Sequence, residues 1–157
     1  MIDLSLLFNW LFQTGVAFLA TITFAIIFHT PRREWLFCGI TGGLGWLVYL
    51  ICMSADMGVV ASSFFATLAL AWISRIFAFC RKTPVTVFLI SGIFPLVPGA
   101  GIYYTGYNVF MSDNAQALAK GMETIKIAVA IALGIGIVLS LPAFFFTLHR
   151  SGGKSGK

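Results

Sequence analysis

The sequence predicts an all-α polytopic membrane protein with five transmembrane helices, the fourth broken at its centre. Three observations carry that prediction. Hydrophobic residues make up 59% of the 157-residue chain and charged residues 10%, more apolar surface than a soluble domain of this size could hide from water. The charges are confined to short stretches such as Arg32-Arg33 and Arg81-Lys82, between long apolar runs. The run from about Val85 to Met111 is long enough to cross a bilayer, since roughly twenty apolar residues span ~30 Å of hydrocarbon. Halfway along it stands Pro95-Leu96-Val97-Pro98-Gly99-Ala100-Gly101.

The first span runs from about Leu4 to Phe28 and stops at His29-Thr30-Pro31-Arg32-Arg33. Asn9, Gln13, Ala17, Thr21 and Ala25 recur every four residues and share one helix face, small or polar, which should point at other helices. Asn9 and Gln13 read as interhelical hydrogen-bonding groups ahead of substrate contacts. A second span, Trp35 to Met53, carries Gly39 and Gly43, a GxxxG pair that lets another backbone approach closely. After the Ser54-Ala55-Asp56 turn a third span covers about Met57 to Phe79. Arg75 lies near its end, where it either snorkels to the interface or serves as a counter-ion. Thr83 is a plausible N-cap for the fourth span, with Pro84 at its first helical position.

The interruption is the centre of the functional reading. Each proline removes a backbone donor and glycine disfavours helix, so residues 95 to 101 should unwind locally. From Pro84 to Pro95, a rise of ~1.5 Å per residue puts the break ~16 Å into the bilayer, near its middle. Unwound backbone at that depth is tolerated where it is buried in protein or faces a wet cavity, as in the binding sites of transporters. Pro98 is placed to open a second half-helix, leaving the N–H groups of Gly99, Ala100 and Gly101 at a positive dipole end that suits a carboxylate. Tyr103, Tyr104, Tyr107 and Asn108 follow with hydroxyl and amide groups. The expected substrate-binding set is therefore Pro95, Pro98, Gly99, Ala100, Gly101, Tyr103, Tyr104 and Asn108, with Arg75 in electrostatic support.

Ser112-Asp113-Asn114 should end the fourth span, Ala115 to Met122 reads as a short surface segment closed by Gly121, and the last span runs from about Thr124 to Leu148. There Ala128, Ala132, Gly136 and Ser140 form a small-residue stripe for close packing, and Pro142 should kink the helix before Phe144-Phe145-Phe146. Residues 1–150 make the transmembrane domain and 151–157 a disordered tail. Five spans place Arg32, Arg33, Arg75, Arg81, Lys82 and the C-terminal basic residues on one side, against Lys120 and Lys126 on the other. The positive-inside rule then puts the N-terminus outside and the C-terminus in the cytoplasm.

The basic balance reads as membrane anchoring, and no nucleic-acid motif is present. Cys38, Cys52 and Cys80 are widely spaced packing residues, with no metal-ligand or redox pattern. Asp3, Asp56 and Asp113 lie in loops or at ends, which argues against intramembrane proteolysis. The absence of a phosphate loop or cofactor motif makes any transport secondary, driven by a gradient. The rival to a transporter is a structural membrane subunit in which Pro95 and Pro98 merely kink a packed helix.

Five spans with Pro95-Leu96-Val97-Pro98-Gly99 followed by Tyr103 in the fourth, together with Ser74-Arg75, resemble the threonine/serine exporter family. The chain is similar to its small five-helix subunits and to the C-terminal half of its longer members. The resemblance implies a bacterial inner-membrane exporter of small carboxylates, either amino acids such as threonine and serine or dicarboxylates such as succinate. It also implies a second five-helix subunit of the same family as partner. Pro98, Gly99 and Tyr103 carry over by position; Gly101, Tyr104 and Asn108 rest on physical reasoning alone.

Overall fold

A computed structural model describes residues 4–141, and their regular structure is helical throughout. The helices are α1 (Leu4–Ile27), α2 (Trp35–Ser54), α3 (Gly58–Arg81), α4 (Val85–Ile93), α5 (Gly99–Phe110) and α6 (Asn114–Ser140), with 3-10 turns at Arg32–Glu34 and Phe94–Leu96. Four stretches are long and apolar enough to cross a membrane: Leu7–Ile27, Arg32–Ser54, Gly58–Arg81 and Asn114–Ser140. Val85–Leu96 and Gly99–Phe110 pass that test together, bent by 48° at the break. Pro142, Phe144 to Phe146 and the tail lie outside the described residues.

Chain reversals and the break differ in backbone. His29 after α1, Asp56 after α2, Lys82 after α3 and Ser112 after α5 all have positive φ near 55–60°, the left-handed conformation that ends helices so that orphan carbonyls are satisfied. At the break the chain stays at negative φ, with Val97 extended and Pro98 at φ −76°, ψ 57°. Thr83 is not an N-cap: its hydroxyl donates to the Arg81 carbonyl (3.2 Å) and Pro84 itself holds the cap position of α4.

Small residues set the packing. Ala17, Thr21 and Ala25 of the expected α1 stripe are buried, Thr21 against Gly42 of α2 and Ala25 in a cluster with Cys38 and Phe88. A Cβ on Gly39 would meet Phe18 at 2.7 Å, and one on Gly42 would meet Thr21 Oγ1 at 1.9 Å. The glycine seam of α2 is thus filled within the chain by α1. Farther along that face, Asn9 and Gln13 bond to each other (3.1 Å) instead of across helices. The principal core gathers Ala66, Leu70 and Ala71 of α3, Leu89, Leu96, and Ile127, Ile131 and Val138 of α6.

The C-terminal region departs from expectation twice. Ala115 to Met122 is no separate surface segment but the opening turns of a continuous α6, which Asp113 caps by accepting from the Gln116 N–H (3.1 Å). Gly121 does not close a helix; Thr105 of α5 packs on it, 3.3 Å from where a Cβ would stand. The Ala128, Ala132, Gly136, Ser140 stripe faces away from the bundle, and α6 buries Ile127, Ala130, Ile131, Gly134 and Val138.

Candidate functional site

The break opens onto a cavity of about 490 Å³, within the range of small-molecule sites. Its wall is the interruption itself, Pro95 to Gly101, with Tyr104 of α5 one turn on. The remainder comes from Trp46 and Tyr49 of α2, Val59 and Ser63 of α3, and Lys120, Glu123, Thr124 and Ile127 of α6.

The donors at the start of α5 follow from its local backbone. Proline at 98 has no N–H, the Gly99 N–H is turned back to the Val97 carbonyl (2.7 Å), and Ile102 donates to the Pro98 carbonyl (3.1 Å). Ala100 and Gly101 are the first-turn positions whose N–H groups helix geometry leaves without intrahelical partners, and no side chain caps them. Both line the cavity. Trp46, which also lines the cavity, has a buried Nε1–H without a hydrogen-bond partner among the described residues. Two backbone N–H donors and the positive end of a helix dipole at one cavity make a wall suited to an anionic oxygen.

α6 is held to α5 by two reciprocal fits. At Gly101 a Cβ would come 2.3 Å from Thr124 Oγ1, and Thr105 sits over Gly121. Thr124 and Thr105 each donate to the carbonyl four residues back (2.7 Å), so their methyl and hydroxyl positions are set. This fit brings Lys120 and Glu123, an ion pair at 3.2 Å, to the cavity.

Of the residues expected from sequence, Pro95, Pro98, Gly99, Ala100, Gly101 and Tyr104 line the cavity. Tyr103 does not; it is 64% exposed and stacks on Tyr107 at 6.3 Å. Asn108 also stands outside the wall, on the last turn of α5, where its carbonyl accepts from the Asp113 N–H. Arg75 is set apart from the cavity, near the C-terminal end of α6, where Nη1 donates to the carbonyls of Val138 and, at 2.8 Å, Leu141. The Val138 carbonyl also accepts from the N–H of Leu141 (3.3 Å), the residue that caps α6 at its C-terminal end.

Sequence reasoning missed the whole wall contributed by α2, α3 and α6. One signal was legible: Lys120 and Glu123 at helical spacing, directly before a long apolar run, are charges that a span brings close to the membrane interior. Trp46 and Tyr49, one turn apart on α2, carry polar atoms on one face, but which helix they look toward follows only from tertiary packing.

A bundle with four to five helices of membrane-spanning length and a cavity at an interrupted helix defines a polytopic membrane protein. Residues 13–141 match the family described as "Threonine/Serine exporter, ThrE", and the chain belongs to the threonine/serine exporter family. It is similar to a "Probable threonine/serine exporter" of Mycobacterium tuberculosis, 27% identical over 124 residues, covering 78% of this chain and 23% of that protein. An "Uncharacterized protein" of Haemophilus influenzae is 25% identical over 147 residues, covering 91% of this chain and 48% of the relative. The chain therefore spans about a quarter and about half the length of these curated relatives. No solved structure matches it.

Proposed function

We propose that this chain is one unit of a secondary transporter that exports small carboxylates, amino acids such as threonine and serine or dicarboxylates such as succinate, across the bacterial inner membrane. The observation that carries the reading is the cavity at the interrupted helix, with the Ala100 and Gly101 N–H groups at the start of α5 in its wall. Open backbone inside a span is costly unless it serves a cavity. Carboxylate binding at a half-helix N-terminus is a use that repays it.

In this reading α4 and α5 are two halves of one span, so the chain crosses five times. The 48° bend supports this, as does the lack of a left-handed residue at the break, in contrast to the four reversals. The end bearing Arg32, Arg33, Arg81 and Lys82 then faces the cytoplasm and the N-terminus lies outside.

A second five-helix unit of the same family completes the pathway. The greater length of both relatives supports this. So does α5, which buries no residue of its own and leaves one side of the cavity for another surface to close. The outward Ala128, Ala132, Gly136, Ser140 stripe offers that unit a close-packing face. The test is reconstitution into liposomes with and without such a unit, measuring efflux of labelled threonine, serine and succinate. Efflux that requires both proteins is expected. Absence of efflux of all three with both present would return Pro95 and Pro98 to the role of a packing kink in a structural subunit.

A further inference from the structure

We propose that Glu123 is the specificity-determining residue of this cavity: its carboxylate receives the ammonium group of a zwitterionic amino acid and turns dicarboxylates away. The inference rests on the transport reading above and assigns one of its two substrate classes.

Lys120 and Glu123 supply the charged side chains of the wall. Both sit on the turn of α6 that is seated against the start of α5, because Thr124 fits into the space left by Gly101. The Glu123 backbone is thereby a neighbour of the turn that carries the Ala100 and Gly101 N–H groups. A carboxylate held on those N–H groups has the α6 wall beside it. In an α-amino acid the ammonium nitrogen is only two bonds from the carboxyl carbon, so both charges must be received within a few ångströms of each other. One set of N–H donors on α5 and one carboxylate on the adjoining turn of α6 meet that requirement.

A dicarboxylate presents a second anion where the amino acid presents its ammonium. Beside Glu123 that anion is repelled, by an amount that solvent screens in part because the carboxylate is about half exposed. Lys120 moderates this, since its ammonium pairs with Glu123 Oε2 at 3.2 Å, but the pair engages that oxygen and leaves Oε1 to receive the substrate ammonium. The pair makes opposite predictions for its two members. Without Glu123 the freed Lys120 favours a dianion; without Lys120 the freed Glu123 favours an ammonium more strongly.

The test is competitive efflux of labelled serine and succinate from liposomes holding the full chain with its second unit, for wild type, Glu123→Gln, Glu123→Asp and Lys120→Gln. Both side chains are about half exposed, so these changes leave folding intact, checked by thermal unfolding in micelles. Expected are a serine preference of at least tenfold in wild type, a drop of at least tenfold in that ratio for Glu123→Gln, retention within threefold for Glu123→Asp, and an unchanged or higher ratio for Lys120→Gln. A wild-type preference for succinate overturns the proposal, as does a Glu123→Gln ratio within twofold of wild type. Efflux of neither substrate by the wild type overturns the transport reading itself, which separates the two failures.

Discussion

On the basic side of the interruption, α2 and α4 close on each other through Cys38, Thr41, Gly42, Ser91 and Gly92, all buried. On the far side the same two lines of chain part, and the cavity lies between Trp46, Tyr49 and the Gly99–Gly101 turn. The contrast shows in the two half-helices: α4 buries Phe88, Leu89, Ser91 and Gly92, whereas α5 buries nothing. Apolar character does not explain it, because both halves belong to one run of membrane-compatible sequence. The difference lies in what stands opposite each glycine. In the closed half the glycines are filled, Gly42 by buried Thr21 and Gly92 by Thr41, 3.2 Å from a would-be Cβ. In the open half Gly101 is filled by Thr124 of α6, but Gly99, also in the cavity wall, has nothing within 4 Å of that position.

The same substitution at both glycines tests this most severely. Leucine at Gly42 must displace Thr21, whose hydroxyl stands 1.9 Å from the new Cβ and donates to the Ala17 carbonyl. Overpacking of this kind costs about 1–3 kcal/mol and more when backbone must move, so Gly42→Leu is expected to abolish folded protein in micelles. Leucine at Gly99 enters open space at a helical position, so Gly99→Leu should insert and unfold like wild type while efflux falls at least tenfold. Equal losses of folded protein at the two sites would erase the distinction between a filled seam and an open cavity.

The closed half also carries a clamp. Glu34, 6% exposed, accepts from Arg81 Nε and Nη2 at 3.0–3.3 Å, and the Arg81 guanidinium lies 4.5 Å over the Phe37 ring. This ties the α1–α2 connection to the end of α3. Removing one partner strands the other, but Arg81 is about a third exposed, so water recovers part of the loss. Glu34→Gln should therefore cost about 1–3 kcal/mol, read as a lower denaturation midpoint, with no change in the serine-to-succinate ratio. A loss below about 0.5 kcal/mol would reduce the pair to an ordinary surface contact.

Where the helices begin and end was legible because proline, arginine and hydropathy punctuate the chain. The spans expected from Leu4, Trp35 and Met57 correspond to α1, α2 and α3 within about two residues, and the break falls at Phe94–Pro98, where two prolines required it. What failed was rotational phase. In lipid an outward face is as apolar as an inward one, so the Ala128, Ala132, Gly136, Ser140 stripe and the buried Ile127, Ala130, Ile131, Gly134, Val138 face of α6 could not be ranked by hydropathy. Gly121 was misread because a glycine that receives Thr105 looks, in sequence, like a glycine that ends a helix. Half the candidate site was visible, the half that is contiguous in sequence. The α2, α3 and α6 walls come from pairings of distant segments, which local pattern does not encode.

The smallest expected effect is at Arg75, whose placement beside the end of α6 sets it apart from both halves of the comparison. Two of its hydrogen bonds leave from one nitrogen, Nη1, toward the Val138 and Leu141 carbonyls. That is a cation at a helix C-terminus, favourable to the negative end of the dipole. A lysine ammonium offers three donors on a flexible stem, so Arg75→Lys should keep most of that contact, with an unfolding midpoint close to wild type and efflux within about twofold. Arg75→Ala removes the donor altogether and should cost about 1–2 kcal/mol, again with efflux per folded molecule preserved. The two readouts separate an end-capping role from an electrostatic one. If Arg75→Lys lost efflux while melting like wild type, the planar guanidinium would be acting on the substrate, and the transport path would have to pass the α6 terminus as well as the break.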